Sequence, residues 1–295
     1  MSYAPFVKRA MLFAGSVVFL IYVLAPIVWL LSSSLQHESD ITSIPPHWIP
    51  QPPTLSSFKA IFTAADGAAS PGAGTDFVPS TAQYLLPAMR NSFVVALSVV
   101  LLNLLVSVPA AYAMAKIRYI GRDMSVYFML ATRVIPDIAL VVPFFLFIRK
   151  LGLLDSVGAL IITYLAITVP FSVFMLLSYF EGLPDELDRA ARVDGCSRFQ
   201  SLVRVYLPLA VPSLVAVILF TFLTSWNEFL FALMFTQTPA SQTVPIIVAS
   251  FTSDFTTSFS FINAAGVVAI IPPVIIAVVF ERYIVSGLTA GAVKG

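Results

Sequence analysis

The chain has 295 residues, a net charge of +1, 59% hydrophobic residues and 11% charged ones, with a mean hydropathy of +0.94. Soluble globular chains carry roughly 25% charged residues, so the composition excludes a water-soluble domain and places the chain in a bilayer. Near-neutral charge leaves no basic surface for nucleic acid, and the lone Cys196 has no partner for a disulfide within the chain.

A helix crosses the hydrocarbon in about 20 mostly apolar residues. In chain order, residues 11–31 lie in an uncharged run between Arg9 and Glu38 and make a first span. Lys8 and Arg9 before an apolar run also fit a secretory signal, but the core is too long and APIVWLLSSSL lacks a small-residue cleavage site. Residues 91–115 and 156–180 are uncharged and make spans two and four. Between them 124–148 has the right length but holds Arg133 and Asp137, so it crosses only with that pair facing protein or water. Residues 208–235, with Glu228 toward the outer end, and 262–281, with Pro272 and Pro273, complete six spans. The expected fold is all-α, with a short N-terminal segment 1–10, a transmembrane domain 11–284 and a tail 285–295.

Lys and Arg set the orientation. With the N-terminus cytoplasmic, Lys8, Arg9, Lys116, Arg118, Arg122, Arg189, Arg192, Arg198, Arg204, Arg282 and Lys294 fall inside. Lys59, Arg90, Arg149 and Lys150 fall outside, so both termini are expected in the cytoplasm. Segments 32–86 and 236–261 then face outward. IPPHWIPQPP at 44–53 is a stiff connector, because proline lacks an amide donor and holds its predecessor extended. DGAASPGAGTD at 66–76 has the small residues of a flexible tip. His37 and His47 lie in this outer region without metal-pair spacing, and read as solvated loop histidines.

The densest charge lies in the cytoplasmic loop 183–207. Pro184 suits a first helical position, Asp185 and Glu186 suit the positive end of a helix dipole, and Gly195 suits a stop. On that short helix Leu187, Ala190, Ala191 and Asp194 share a face, with Asp185, Glu186, Asp188, Arg189 and Arg192 on the rest. Ser197 and Gln200 have capping-box spacing, and Phe199, Leu202, Val203 and Tyr206 follow as an apolar stripe. By itself this is also the pattern of an amphipathic hairpin lying on the membrane surface.

Ala190, Ala191, Gly195, Val205, Leu207 and Pro208 fall at the spacing of the cytoplasmic signature of permease subunits of ATP-binding-cassette importers, which the loop resembles. The family signature opens with Glu where this chain has Arg189, so an ion pair made by that Glu is not carried over. SWNEFLFALMF at 225–235 and YIVSGLTAGAVKG at 283–295 resemble the carbohydrate-uptake branch, on the side of the second maltose permease. The resemblance implies a type I importer permease in the cytoplasmic (inner) membrane of a bacterium or archaeon. It implies as partners a second permease, an ATPase dimer and an external sugar-binding protein. Coupling would fall to Glu186, Arg189, Ala190, Ala191, Asp194 and Gly195, and tail contacts with the ATPases to Gly287, Thr289, Gly291 and Lys294. The outer loop at 239–260 would probe the binding protein.

No phosphate loop of the form GxxxxGK followed by Ser or Thr occurs, so the chain is expected to be no enzyme and to bind no cofactor, with ATP and Mg on the partner subunits. Four intramembrane residues are substrate-path candidates. Arg133 and Asp137, four apart, either neutralise each other on one helix face or line the path, and Asn227 and Glu228 serve either as gate or in packing. Asn103 reads as an interhelical hydrogen bonder. Neither a metal site nor a hydrolase constellation is present: HExxH is absent and no histidine lies in a span. An ion-driven secondary transporter is the alternative, but no repeated half is visible.

Overall fold

The computed structural model describes residues 4–45, 47–65, 79–252 and 257–292. Among these the chain is mostly helical, and the one cross-strand pairing is an isolated bridge between Thr252 and Thr257. Four helices hold uninterrupted apolar stretches long enough to cross a membrane: α1 (Ala4–Ser33), α4 (Leu85–Lys116), α7 (Val157–Glu181) and α14 (Phe259–Ala292). Short helices α2 (Glu38–Ile41) and α3 (Ser56–Ala65) lie between the first two.

The third expected span is not one straight helix. It is α5 (Arg122–Thr132) and α6 (Asp137–Lys150), bent by 97° at a short break. Pro136 is the cause: it has no amide donor and disfavours helix in the residue before it, and Asp137 restarts the helix at its positive end. Arg133 and Asp137 therefore sit on opposite sides of a break and share no helix face. The fifth span is also broken. Residues 198–209 meet α11 (Val211–Asn227) at 82°. Glu228 is then extended, and a separate helix follows, α12 (Leu230–Phe235). With each bent pair counted as one crossing there are six. A last short helix, α13 (Val244–Ala249), precedes α14.

The chain forms two compact units, 1–86 with 247–271, and 87–246 with 272–295. In the first, the Glu38 carboxylate accepts from the Ser260 amide at 2.9 Å, and the Trp29 and Trp48 rings meet edge-on at 5.0 Å. A Cβ on Gly266 would lie 3.4 Å from Leu30, so glycine here lets α14 pack closely on α1.

The second unit holds two apolar clusters. One gathers Val95, Ile148, Leu160, Tyr164, Phe231 and Phe235. The other gathers Val108, Tyr112, Leu176, Phe180, Leu202 and Tyr206. In it the Tyr112, Phe180 and Tyr206 rings are mutually edge-on, with centroids 5.1 to 6.3 Å apart. Buried Asn103 of α4 donates to Thr168 Oγ1 of α7 at 2.8 Å, the interhelical bond its sequence position predicts. Phe180 is fully buried, so Phe180→Ala should cost about 3–5 kcal/mol. That loss would be read as a lowered thermal midpoint of the purified protein in detergent; an unchanged midpoint would show that the trio does not hold this end of the unit together.

Candidate functional site

The charged loop forms a docked helix, α8 (Glu186–Val193). It begins at Glu186, two residues later than Pro184 predicts, with Asp185 as its N-cap. Its end matches the sequence reading. Gly195 takes φ +78°, a left-handed conformation that glycine adopts without Cβ strain. The Cys196 amide then reaches the Ala191 carbonyl at 2.9 Å and the Gly195 amide the Arg192 carbonyl at 3.0 Å, which together close a Schellman motif.

The helix buries a different face from the one its pattern predicts. Ala191 is buried and Leu187 half-buried, but Ala190 and Asp194 are exposed and Asp188 turns inward. Donors beneath the helix explain the rotation. Asp188 Oδ1 accepts from the Tyr112 hydroxyl at 3.2 Å, and Oδ2 accepts from Arg192 Nε at 2.9 Å. Lys116 Nζ bonds both the Leu183 carbonyl and Asp185 Oδ1 at 2.8 Å, and its ammonium holds the Asp185 carboxyl below the usual carboxylate range. A depressed value means this pairing persists above the ordinary carboxylate pKa and is lost as pH falls through the lowered one. Arg122 also pairs with Glu181, at the foot of α7. The outward surface is left to Glu186, Arg189, Ala190, Val193 and Asp194. Lys116, Tyr112 and Asp188 were not singled out from sequence, because their pairing spans about 70 residues and leaves no local spacing.

Ser197 and Gln200 form the expected capping box, opening α9 (Arg198–Ser201). The stripe behind it divides. Leu202 and Tyr206 are buried, whereas Phe199 is 71% and Val203 42% exposed. The chain from Leu202 to Tyr206 is a π turn, whose i→i+5 bonding rotates successive side chains off the α-helical register; α10 (Leu207–Leu209) follows.

Of the four path candidates the structure brings two together. Asp137 and Glu228 line one cavity of about 80 Å³ with Tyr164, Thr168 and Thr224, room for a few water molecules. Glu228 Oε1 accepts from the Phe231 amide at 2.8 Å, and Oε2 from the Ala232 amide at 3.1 Å and the Tyr164 hydroxyl at 2.6 Å. It thereby starts α12 and breaks span five. Arg133 does not pair with Asp137. Its Nη1 donates to the Ile167 carbonyl at 3.0 Å, and its guanidinium lies 6.0 Å from the Phe171 ring centroid. Asn227 is exposed and bonds back to the Leu223 carbonyl at 2.9 Å. Among the described residues no His, Cys, Asp and Glu cluster is suited to a metal.

At the end of α7 away from α8, Asp155 gathers the segment after α12. Its Oδ1 accepts from the Gln237 and Thr238 amides at 2.8 and 2.9 Å and from the Ser241 hydroxyl, and Oδ2 accepts from Thr238 Oγ1 at 2.8 Å. These donors, Ser241 first, hold the carboxyl well below the usual carboxylate range. Their contribution is complete above the ordinary value of about 3.9 and is lost only as pH falls through the lowered one. Of the expected tail contacts, Lys294 lies outside the described residues; Gly287, Thr289 and Gly291 belong to α14. In the expected outer loop 239–260, residues 253–256 are outside them as well.

Apolar helices of bilayer length, two of the crossings broken by sharp bends, together with one charged and docked hairpin, define a multi-pass membrane protein. Residues 107–289 match the family of binding-protein-dependent transport system inner membrane components, and the chain belongs to that family. It is 36% identical to the trehalose/maltose transport system permease protein MalG of Thermococcus litoralis, over 98% of both chains. It is 35% identical to the sulfoquinovosyl glycerol transport system permease protein SmoH of Agrobacterium fabrum, over 98% of this chain and 95% of that one. A chain in the crystal structure of a bacterial ABC transporter that imports the acidic polysaccharide alginate shares the fold. The TM-score is 0.79 at 22% identity, covering 96% of this chain and 99% of that one.

Proposed function

We propose that the chain is the permease subunit of an ATP-driven importer in a bacterial or archaeal cytoplasmic membrane. With a second permease it forms the path for a di- or oligosaccharide handed over by an external binding protein. The observation that carries this reading is α8: a short helix with a glycine-terminated end, anchored by Lys116, Tyr112 and Asp188 so that Glu186, Arg189, Ala190 and Asp194 stand outward.

ATP and Mg belong to a partner ATPase dimer. When ATP closes that dimer, α8 moves with it, and the bonds from α8 to α4 and α9 pass the motion to the spans as a rigid body. The tail residues Gly287, Thr289, Gly291 and Lys294 add a second ATPase contact. Affinity purification of the tagged permease from its native membrane should bring down an ATPase, a second permease and, with sugar present, a binding protein. Recovery of the chain alone, in a detergent that preserves other membrane complexes, would contradict the reading.

The sugar path runs past the cavity shared by Asp137 and Glu228. Asp137 is exposed at its mouth, and a carboxylate there accepts hydrogen bonds from sugar hydroxyls. Asp137→Asn keeps the shape and removes the charge, and should slow uptake by roughly tenfold at fixed sugar concentration. Uptake at the wild-type rate would remove the cavity from the path.

A further inference from the structure

The connection from α6 to α7 makes an unusual turn. Asp155 has φ +59°, a left-handed conformation that L-residues adopt at a cost of about 1–2 kcal/mol, with Asp among the more tolerant. That turn aims both carboxylate oxygens at the segment beyond α12, where four donors are met, while the Asp155 amide donates to the Phe235 carbonyl at 2.7 Å. The same segment is held from α4. Asn91 Nδ2 donates to the Ala240 and Gln242 carbonyls, both at 2.9 Å, and Ser92 Oγ accepts from the Val244 amide at 2.9 Å. Residues 236–243, between α12 and α13, have no regular secondary structure, yet they are fastened on two sides. Gln237, Thr238 and Ala240 remain exposed, so the bonds order a surface rather than fill a core.

We infer that Asp155 is a positioning residue: with Asn91 it locks residues 236–242 as a preformed, uncharged polar platform on which the external binding protein docks. The inference rests on the importer reading above, and the family's dependence on a binding protein supplies the occupant. Preordering matters because ordering a loop at an interface costs roughly 0.5–1.5 kcal/mol for each immobilised side chain, which a fixed platform avoids at the moment of docking. Without the clamp the platform residues are still present, and affinity falls because they must be ordered on each encounter.

The test uses the assembled complex in nanodiscs and the binding protein that stimulates its ATP hydrolysis. Asp155→Gly removes the carboxylate and relieves the left-handed turn, so it separates the clamp from backbone strain. It should raise the half-saturating concentration of sugar-loaded binding protein by about tenfold, with the maximal rate little changed. Thr238→Val, which removes one donor and retains the fold, should shift it in the same direction by less. Amides of 236–244 should exchange faster with deuterium in both variants. An unchanged half-saturation in both variants would overturn the platform, as would a fall in maximal rate alone, since that is what a general loss of structure produces. If the wild-type complex responds to no binding protein, the importer reading itself fails and this assignment with it.

Discussion

Gly195→Pro should leave the protein in the membrane at wild-type abundance and abolish coupling between ATP hydrolysis and uptake. Proline fixes φ near −65°, against the +78° found here, and it deletes the amide that bonds the Arg192 carbonyl. A misplaced proline costs about 3 kcal/mol, which corresponds to roughly a 100-fold loss of the ordered α8 end. Gly195→Ala is the informative companion. No atom lies within 4 Å of the place its Cβ would take, so only the backbone preference is lost. That is worth about 1–2 kcal/mol and a loss of roughly tenfold. The pair is checked by sugar uptake and ATP hydrolysis measured on the same reconstituted complexes. Equal uptake in both variants and wild type would show that the end of α8 transmits nothing.

Asp188→Ala has the second largest expected effect. Asp188 hydrogen-bonds both α4 and α9, through Tyr112 and, more weakly at 3.5 Å, Ser201. Removing it leaves the Tyr112 hydroxyl, on a residue only 4% exposed, without its acceptor, at a cost of about 1–3 kcal/mol. Arg192 also loses its partner. Uptake per ATP hydrolysed should fall roughly tenfold or more, while Asp188→Asn, which still accepts one bond, should fall less. In a double-mutant cycle Tyr112→Phe should cancel part of the loss, because the orphaned hydroxyl is then gone. Strict additivity would mean that the two residues act independently.

The features legible in the sequence are those whose cause is local. Gly195 and the Ser197 to Gln200 capping box were visible because a left-handed stop and a reciprocal cap need particular residues at fixed short spacing. The crossings were visible because length and apolarity suffice to mark them. Where a second local signal competed, length misled. Pro136 sits inside a run of bilayer length, and the chain obeys the proline, so Arg133 and Asp137 are parted although their spacing suits an i,i+4 pair. Glu228 behaves similarly: its place near the outer end of an apolar run suits either a gate or packing, and the structure shows its carboxylate accepting the first amides of a new helix.

The inward turn of Asp188 and the Asp155 clamp were not legible at all. Each depends on donors about 75 to 85 residues away, and no pattern in one chain records that distance. The family match covers 107–289, which includes Tyr112, Lys116, α8, Asp155 and Glu228 but not Asn91 and Ser92.

As an importer permease, this chain would move cargo only when driven by an ATPase through α8. The decisive measurement is uptake of a panel of radiolabelled di- and oligosaccharides into proteoliposomes that contain the complete complex. Accumulation should require ATP on the ATPase side and binding protein on the other, and Gly195→Pro should abolish it. Accumulation driven by a proton or sodium gradient through this chain alone, without ATP, would contradict it.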